Sequence, residues 1–592
     1  MSPVAAQPVA TVRTGFAAQR RSRPLRLLIG GFVAAVILIV AVVAGRHAAT
    51  DNALLTYQLT RWQFWVLETQ FVLLLVLSGL NLPSFIGSLH LPRFAIVAGV
   101  TASLAALVLA AAVAPKTNRI FYDEHIYQGI AQNLADLHLA QTCNDGAVEY
   151  GRLQCSRGEY NKQPYGYPYL LSVLYRMFGV HESIAHWFNT ICAALLVSVV
   201  FLTTCALFGD ARAGVFAGVV AALTPQQIVW SHTAAAEPSA ALTAALAVMT
   251  AVAFVRSRTV SRRLWMTVAT VFAAQFRPES LLVVAVVVLV VALFAPEEIG
   301  RASLWWAALL GTALCATHIL HLFAVRGEAW GSTGDRMALG FAWPNLKVNG
   351  MFFLDNVRFP VVYTALALWG VASRPTRGAL ASAAYFLVFW STFLFFYAGS
   401  YDYGADVRFS LLTYPAAAML AGWGASSLHQ YAVRMGLEPR RVTVAMTAAL
   451  GFQFLWFTPQ VRAVGEEAWA ARADVGFAHR AGRDLPANSI VLTQNPAVFL
   501  LRGINAAQIS LATTEPGYVS SLLPARYAGG VFLHWNYWCN ADDAAQRTLC
   551  ATALGRNHAE LFRQYRERDY QFAFYRLNAS ERQLILKIDE AR

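Results

Sequence analysis

Long apolar runs recur along most of this chain and limit what it can fold into. Between residues 27 and 456 there are about thirteen runs that could cross a bilayer, if each needs roughly 20 residues or a shorter, tilted substitute. Of the 592 residues, 57% are hydrophobic and only 13% are charged. Soluble enzymes do not have this composition. The pattern predicts a polytopic α-helical membrane protein.

Membrane topology explains the net charge of +13 better than a polyanionic partner does. Arginines cluster before the run 27–45 and after the run 236–255, in short segments that are predicted to be cytoplasmic. We therefore expect no nucleic-acid partner. The predicted boundaries are a cytoplasmic tail over residues 1–26, a transmembrane domain over residues 27–458 and a polar domain over residues 459–592.

The polar stretch of residues 115–183 interrupts the apolar runs. Three predicted spans precede it, so it is expected outside the cytoplasm. Asp123 and Glu124 open a segment with apolar residues at helical spacing, and Pro164 and Pro168 start a second amphipathic helix. Neighbours on a helix point about 100° apart, so the two acids are not expected to share one role. A polar loop between lipid-compatible runs predicts an active site at the membrane surface.

From residue 459 the composition becomes polar and stays so to the last residue. Short apolar runs alternate there with helix-like stretches, such as residues 542–566. This pattern predicts a small α/β domain, and the number of preceding spans places it outside the cytoplasm.

Four of the seven cysteines form two local pairs in polar segments. Cys143 and Cys155 bracket an insert in the outer loop, and Cys539 and Cys550 lie close together in the polar tail. Local pairs assigned to one face of the membrane predict disulfides in an oxidising compartment. A metal site is the weaker interpretation, since neither pair has Cys-x-x-Cys spacing.

The order of residues in the outer loop resembles the C-type integral-membrane glycosyltransferases (GT-C). The pattern is an acid pair, a tyrosine three residues later, Lys-x-Pro, and an aromatic-rich helix that ends in Phe-Gly. Within this family it is most similar to the branch of protein O-mannosyltransferases and lipid A aminoarabinose transferases. The matching residues are Asp123, Glu124, Tyr127, Lys162, Pro164, Phe178 and Gly179. In the family the acid pair usually follows the first span, whereas here it follows the third apolar run. Two additional spans leave the acid pair on the same face of the membrane.

The resemblance implies a glycosyltransferase that moves a hexosyl or pentosyl group from a polyprenyl-phosphate donor to an acceptor hydroxyl. It implies inversion by in-line displacement, at the periplasmic face of a multi-pass inner-membrane protein. Such a reaction needs a base for the hydroxyl and cations for the departing phosphate. The catalytic candidates are Asp123, as the base, and Glu124, which could instead orient a cation or the acceptor. The alternative for Asp123 is a carboxylate that only caps its helix.

Three cations are the predicted ligands of the donor phosphate. Lys162 occupies the Lys-x-Pro position, and Arg408 resembles the arginine that opens a late span in this family. Arg277 lies between apolar runs, where an unpaired charge is costly. Its alternative role is pairing with Glu237 or Glu279. For Arg408 the alternative is snorkelling or pairing with Asp402 or Asp406.

Tyr127, Tyr165, Tyr167 and Glu237 are the predicted substrate-binding residues. Aromatic side chains are also common where helices meet lipid headgroups, and an acid before proline is also good helix-start chemistry. No cofactor is firmly implied, although a divalent metal is possible. His318 and His321 share a helix face, but such histidines are more often hydrogen-bonded core residues, and neither His125 nor His232 is a better candidate.

Two other functions compete with this interpretation. A transporter or lipid flippase would explain charges within spans, such as Glu68 and Arg277, but the sequence has no inverted repeat and its polar residues concentrate in outer loops. An oligosaccharyltransferase-type enzyme would keep the fold and change the donor. The acceptor, whether glycan, lipid or protein, is not specified by the sequence.

Overall fold

The structure is a computed structural model that describes residues 51–578, apart from residues 121, 329–330, 403, 465–466, 516 and 524–525. The predicted tail over residues 1–26 and the first apolar run, 27–45, lie outside the described residues.

The apolar runs predicted within the described residues lie largely in helices. The helices before the polar domain are α1 Asn52–Ser88, α2 Arg93–Ala112, α3 Asp123–Leu137, α4 Gly166–Phe178, α5 Glu182–Phe208, α6 Ala211–Leu223, α7 Pro225–Trp230, α8 Glu237–Arg256, α9 Val260–Ala273, α10 Val283–Phe294, α11 Pro296–Ile299, α12 Ala302–Leu314, α13 Ala316–Ala324, α14 Ala342–Phe352, α15 Val361–Ser373, α16 Arg377–Thr392, α17 Tyr414–Arg434 and α18 Pro439–Ala463. Three 3₁₀ helices, Pro278–Leu282, Leu339–Phe341 and Gly404–Thr413, complete this part.

Five of the described helices are long and apolar enough to cross a membrane, or six if α12 and α13, which meet at a 50° bend, form one broken span. The five are Asn52–Ser88, Arg93–Ala112, Glu182–Phe208, Glu237–Arg256 and Pro439–Val461. Most of the other predicted runs are shorter helices or helices broken into segments, and α17, with 21 residues, is not apolar enough to be counted. The predicted count of about thirteen spans is therefore not confirmed, whereas the integral-membrane character is.

Helix α8 lies at the centre of the helical part, because almost all of its residues are buried. Its buried faces are rich in alanine, and small side chains let neighbouring helices approach closely. Glu237 is its first residue. The central helix therefore fixes one carboxylate at a defined position.

The polar domain contains helices and most of one sheet. Its helices are α19 Trp469–Gly482, α20 Ala497–Leu500, α21 Leu511–Thr514, α22 Tyr518–Leu522, α23 Tyr537–Asn540 and α24 Ala544–Gly555. The strands of the structure are β1 Thr142–Glu149, β2 Arg152–Glu159, β3 Ser489–Thr493, β4 Asn505–Gln508, β5 Gly530–Trp535, β6 His558–Glu567 and β7 Tyr570–Asn578. They form one seven-stranded sheet in the order β2-β1-β4-β3-β5-β7-β6.

Two strands of this sheet come from the outer loop. The hairpin β1–β2 adds to the sheet through antiparallel pairing of β1 with β4, while β3 lies parallel to both β4 and β5. Tyr122 and Leu153 of the loop share a hydrophobic core with Phe499 and Phe532 of the polar domain. The outer loop and the polar domain thus share one sheet and one hydrophobic core. The predicted boundary at residue 459 assigns these two segments to different domains.

The short apolar runs predicted in the polar domain contain the strands β3, β4, β5 and β7. Both predicted disulfides are present, Cys143–Cys155 and Cys539–Cys550. The prediction for residues 542–566 is wrong in its second half. Helix α24 ends at Gly555 and the chain then forms β6. This strand pairs along its length with β7, so tertiary pairing overrides the weak local helical pattern.

Candidate active site

Asp123 is the first residue of α3, in the outer loop. The preceding residue, Tyr122, has a left-handed backbone (φ 52°) and provides no side-chain cap for the helix. Burial raises the pKa of the Asp123 carboxyl, and the nearby charge of Glu237 adds to this effect. Positive charge on Arg408, Lys162 and Arg277 opposes it. The charges of all three predicted cations therefore act on this carboxyl group.

Glu124 has a different environment from its neighbour, as the sequence predicts. It is fully buried, and its oxygens accept the backbone N–H groups of Arg119 (2.6 Å), Ile120 (3.1 Å) and Ala234 (2.6 Å). Burial raises its pKa to about 7, although the three N–H groups favour the charged form. Through these hydrogen bonds, the carboxylate connects the backbones of two loops. The geometry thus gives Glu124 a bracing role, and the catalytic role that the resemblance implies for it stays a prediction.

Glu237 holds two of the three predicted phosphate ligands. The Nε atom of Arg408 lies 2.9 Å from Glu237 Oε1, and Arg277 contacts the same oxygen. Arg277 also pairs with Glu279, as its alternative role predicts. Glu237 is completely buried and contacts both arginines, and its predicted role in substrate binding stays a prediction. Asp402, a predicted alternative partner of Arg408, pairs with Arg358.

The turn that carries Lys162 is fixed by its neighbours. The Tyr165 hydroxyl donates to the carbonyl oxygen of Asn161 (3.0 Å) and accepts from its N–H (3.2 Å). The N–H of Gly166 donates to the carbonyl oxygen of Gln275 (2.8 Å). A Cβ atom at residue 166 would lie 2.7 Å from that oxygen, so only glycine allows this approach. The Lys162 turn is thereby tied to the segment that leads into Arg277.

The three predicted substrate-binding tyrosines are buried. Tyr127 lies edge-on to Tyr167, with ring centroids 5.6 Å apart, and Tyr167 stacks on Phe188. The pKa of Tyr127 is raised by burial and by the charges of Glu237 and Asp123, so this ring borders the charged cluster. Tyr165 and Tyr167 are core residues whose packing supports the loop, and their predicted contact with substrate stays a prediction.

A polar cleft opens onto Asp123 from the side of the polar domain. Its volume is about 270 Å³. The walls include Asn144 and Glu159 from the hairpin and Asn495 and Trp538 from the polar domain. Gly129 of α3 and Ala497 of the polar domain, which both line this cleft, are closely packed. A Cβ atom at residue 129 would lie 2.8 Å from the Ala497 methyl group. Asp123 therefore lines a cleft to which both the outer loop and the polar domain contribute.

Asp474 is a further residue that the sequence does not reveal. This fully buried carboxylate accepts from the Tyr122 hydroxyl and from the N–H of Tyr537 (3.0 Å), and its Oδ1 lies 2.9 Å from His534 Nε2. It ties the residue before Asp123 to the polar domain. No local pattern identifies it, because its partners are distant in the sequence.

The charges that favoured a transporter have partners. Glu68 Oε2 accepts from the Tyr169 hydroxyl (2.8 Å) and from Arg176 (2.9 Å). In the pair His318 and His321, one ring has a hydrogen-bond partner, since His321 Nδ1 lies 2.7 Å from the Tyr160 hydroxyl. Among the described residues the group suited to a metal is a different one, His125, Glu182 and His479.

Comparison with known proteins gives a family match and a fold. Residues 162–321 match the family model described as dolichyl-phosphate-mannose-protein mannosyltransferase. The crystal structure of ArnT from Cupriavidus metallidurans bound to undecaprenyl phosphate is similar with a TM-score of 0.52 and 16% identity, covering 81% of this chain and 97% of that chain. Its apo structure gives a TM-score of 0.54 and 15% identity over the same shares. The chain has the C-type glycosyltransferase fold.

This C-type fold confirms the resemblance that the loop motif predicts. The family match includes Lys162, Glu237 and Arg277, and it leaves Asp123 and Arg408 outside its limits. The archaeal oligosaccharyltransferase AglB from Archaeoglobus fulgidus is less similar, with a TM-score of 0.45 and 12% identity over 83% of this chain and 74% of that chain. No curated protein sequence matches the chain.

Proposed function

We propose that this protein transfers a monosaccharide from a polyprenyl-phosphate donor to an acceptor hydroxyl at the extracytoplasmic face of the inner membrane. The observation that carries the proposal is that Arg277 and Arg408 are both held on the buried Glu237 carboxylate, and that their charges and that of Lys162 act on the Asp123 carboxyl. A base surrounded by cations suits a reaction in which a proton is removed and a phosphate departs.

The reaction proceeds by in-line displacement. The acceptor oxygen attacks the anomeric carbon as the bond from that carbon to the phosphate oxygen breaks, so the anomeric configuration inverts. Asp123 takes the proton of the acceptor hydroxyl. The electron pair of the broken bond remains on the phosphate, whose added charge is stabilised by Lys162 and Arg408.

The charge balance supports these roles. Glu237 and Glu279 neutralise Arg277, and Glu237 also orients Arg408. The donor phosphate gains charge only as the glycosidic bond breaks. Cations that are held rigidly before that step stabilise the transition state more than the ground state, which is the condition for a faster reaction.

A lipid-linked donor fits the position of the site. Lys162 and Arg408 lie in segments next to apolar helices, so a prenyl chain can remain in the lipid while its phosphate reaches both side chains. One ArnT structure of the same fold binds undecaprenyl phosphate, which supports the same carrier class here. The acceptor, a glycan, lipid or protein hydroxyl, enters through the cleft between Asn144 and Trp538.

The test is transfer in vitro. The purified protein in liposomes is incubated with radiolabelled polyprenyl-phosphate hexoses and pentoses, each with candidate acceptors, and the product is analysed for label and anomeric configuration. We expect a labelled, inverted product with one donor class. Label that crosses the bilayer without forming a new glycosidic bond would favour the flippase instead, and transfer of only whole oligosaccharides would favour the oligosaccharyltransferase-type enzyme.

A further inference from the structure

A cluster of polar side chains separate from the one around Asp123 involves the other side of helix α3. His125 of α3, Glu182 at the start of α5 and His479 of α19 each direct one ligand atom into a common space, and these atoms lie within 4.8 Å of one another. The three residues come from the outer loop, a membrane helix and the polar domain. We infer that they bind a divalent transition metal, with zinc the best fit to the donor set.

The spacing suits a zinc ion. Zinc bonds to histidine nitrogen and carboxylate oxygen are about 2.0–2.2 Å long, and tetrahedral angles then place two ligand atoms roughly 3.3 Å apart. His125 Nε2 lies 3.3 Å from Glu182 Oε1. Two of the three ligands are thus already at the separation that the ion requires, and the half-buried His479 needs only a small side-chain movement.

Both imidazoles place a buried ring nitrogen at this position. The Nε2 atom of His479 is buried without a hydrogen-bond partner among the described residues, and the buried Nε2 atom of His125 has the Glu182 carboxylate beside it at 3.3 Å. His125 is only 2% exposed. A buried polar atom without a partner costs stability, roughly 1–3 kcal/mol. A metal ion bound between the two rings would satisfy both atoms.

The carboxylate is held in the orientation that a ligand needs. Glu182 Oε2 accepts from Arg502 (2.8 Å), while Oε1, which faces His125, accepts from the Asn118 amide (3.1 Å). Such outer hydrogen bonds orient the first ligands of a metal. Arg119, which lines the same cavity, pairs with Glu467 and stacks on Trp230, so its charge is compensated.

The donor types select the metal. Two imidazoles and one carboxylate match zinc, whereas calcium and magnesium prefer oxygen ligands only. The cavity beside the cluster has a volume of about 300 Å³, which leaves room for a water molecule as the fourth ligand. Three protein ligands with one open position is a common zinc arrangement.

The site is separate from the proposed transfer site. His125 lies two positions after Asp123, so the two side chains point about 200° apart around α3. A bound ion would join the catalytic helix to the polar domain and to a membrane helix. Its expected effect is to stabilise the arrangement of these three parts, because an ion that binds only the folded state shifts the folding equilibrium.

The test measures zinc binding and stability, and it does not depend on glycosyl transfer. The full-length protein in detergent, with its affinity tag removed, is stripped with a chelator and titrated with zinc alone. We expect one zinc per chain by elemental analysis and an unfolding temperature that rises with zinc. His479→Ala and Glu182→Gln should lose the zinc and the rise, and His479→Cys should restore both, since a thiolate also binds zinc.

The histidine pair on α13 provides the control. His318→Gln should leave the zinc stoichiometry and the rise in unfolding temperature unchanged. Absence of one-to-one zinc in the wild-type protein would overturn the inference. So would zinc that is retained by His479→Ala and Glu182→Gln, or zinc that is lost from His318→Gln alone. His479 is half-buried, so its variants are expected to fold and the comparison stays decisive.

Discussion

The Nε atom of Arg408 lies 2.9 Å from Oε1 of Glu237, at the head of the central helix. Arg277 contacts the same oxygen. A buried carboxylate that loses its partners leaves an uncompensated charge, so this arrangement is costly to disrupt. Two arginines from distant segments are therefore held beside Asp123 before any substrate arrives.

Replacement of Arg408 should affect both binding and chemistry. Arg408→Ala is expected to lower donor affinity and to reduce turnover by about 10²–10³-fold, the usual effect of removing one group that stabilises developing charge. Arg408→Lys should recover only part of this loss, because lysine lacks the planar fork of donors. Donor binding and single-turnover rates separate the two effects. Arg358→Ala is the control, since Arg358 pairs with Asp355 and Asp402 at the surface. Turnover that is unaffected in Arg408→Ala would exclude contact with the leaving phosphate.

The pH dependence of turnover should report the environment of Asp123. A base acts only when ionised, so turnover should fall as the pH drops through the pKa of Asp123. Burial raises that pKa, so the fall should begin at a higher pH than for an ordinary aspartate. Arg408 lowers this pKa and Glu237 raises it.

Two variants test the sign of these effects. Arg408→Gln should move the acidic limb of the turnover profile to higher pH, and Glu237→Gln should move it to lower pH. A variant with low residual turnover can still be tested, because the measurement compares the pH at which turnover falls and not its absolute rate. Shifts in the same direction would mean that another group controls the acidic limb.

The turn that carries Lys162 should depend on one hydroxyl. Tyr165→Phe removes the two hydrogen bonds to Asn161, a loss of roughly 1–3 kcal/mol for the buried groups left unpaired. We expect weaker donor binding through the loosened turn. Tyr385→Phe is a matched control, because the buried Tyr385 hydroxyl has no hydrogen-bond partner in the described part of the chain. Equal donor affinity in the two variants would show that Tyr165 does not position Lys162.

The disulfides should be detectable by labelling. Under denaturing, non-reducing conditions we expect three alkylated thiols, Cys192, Cys205 and Cys315, and four more after reduction. Replacing Cys143 and Cys155 together should lower stability by up to about 3 kcal/mol in the chain-entropy model. The intact mass before and after reduction decides this, and seven alkylated thiols without reduction would contradict it.

Helices and disulfides were predictable because their signals are local. An apolar run specifies a helix by its composition, and two cysteines in one short loop can reach each other without knowledge of the fold. Local motifs, through their resemblance to a known family, also identify Asp123, Lys162 and Arg408 as candidate site residues. That these three residues lie near one another could be inferred only from the membrane face to which each segment is assigned.

The features that the sequence did not reveal depend on long-range pairing. Strand β2 is mostly exposed and rich in polar residues, so it has no clear alternation of apolar and polar positions. It is ordered by the hairpin turn, by the Cys143–Cys155 disulfide and by the neighbouring β1. The sites at Asp474 and His479 likewise need the polar domain to pack on the outer loop, and no short-range pattern encodes that contact.

The central claim is that Asp123 is the base. The measurement that tests it most directly compares Asp123→Asn with the wild-type protein in donor binding and in single-turnover transfer. Asn fits the same space but cannot accept the proton, so donor binding should persist while transfer falls by about 10²–10⁴-fold. Asp136→Asn, the same change near the other end of α3, is the control and should transfer normally. Transfer by Asp123→Asn at a rate close to that of the wild-type protein would contradict the account.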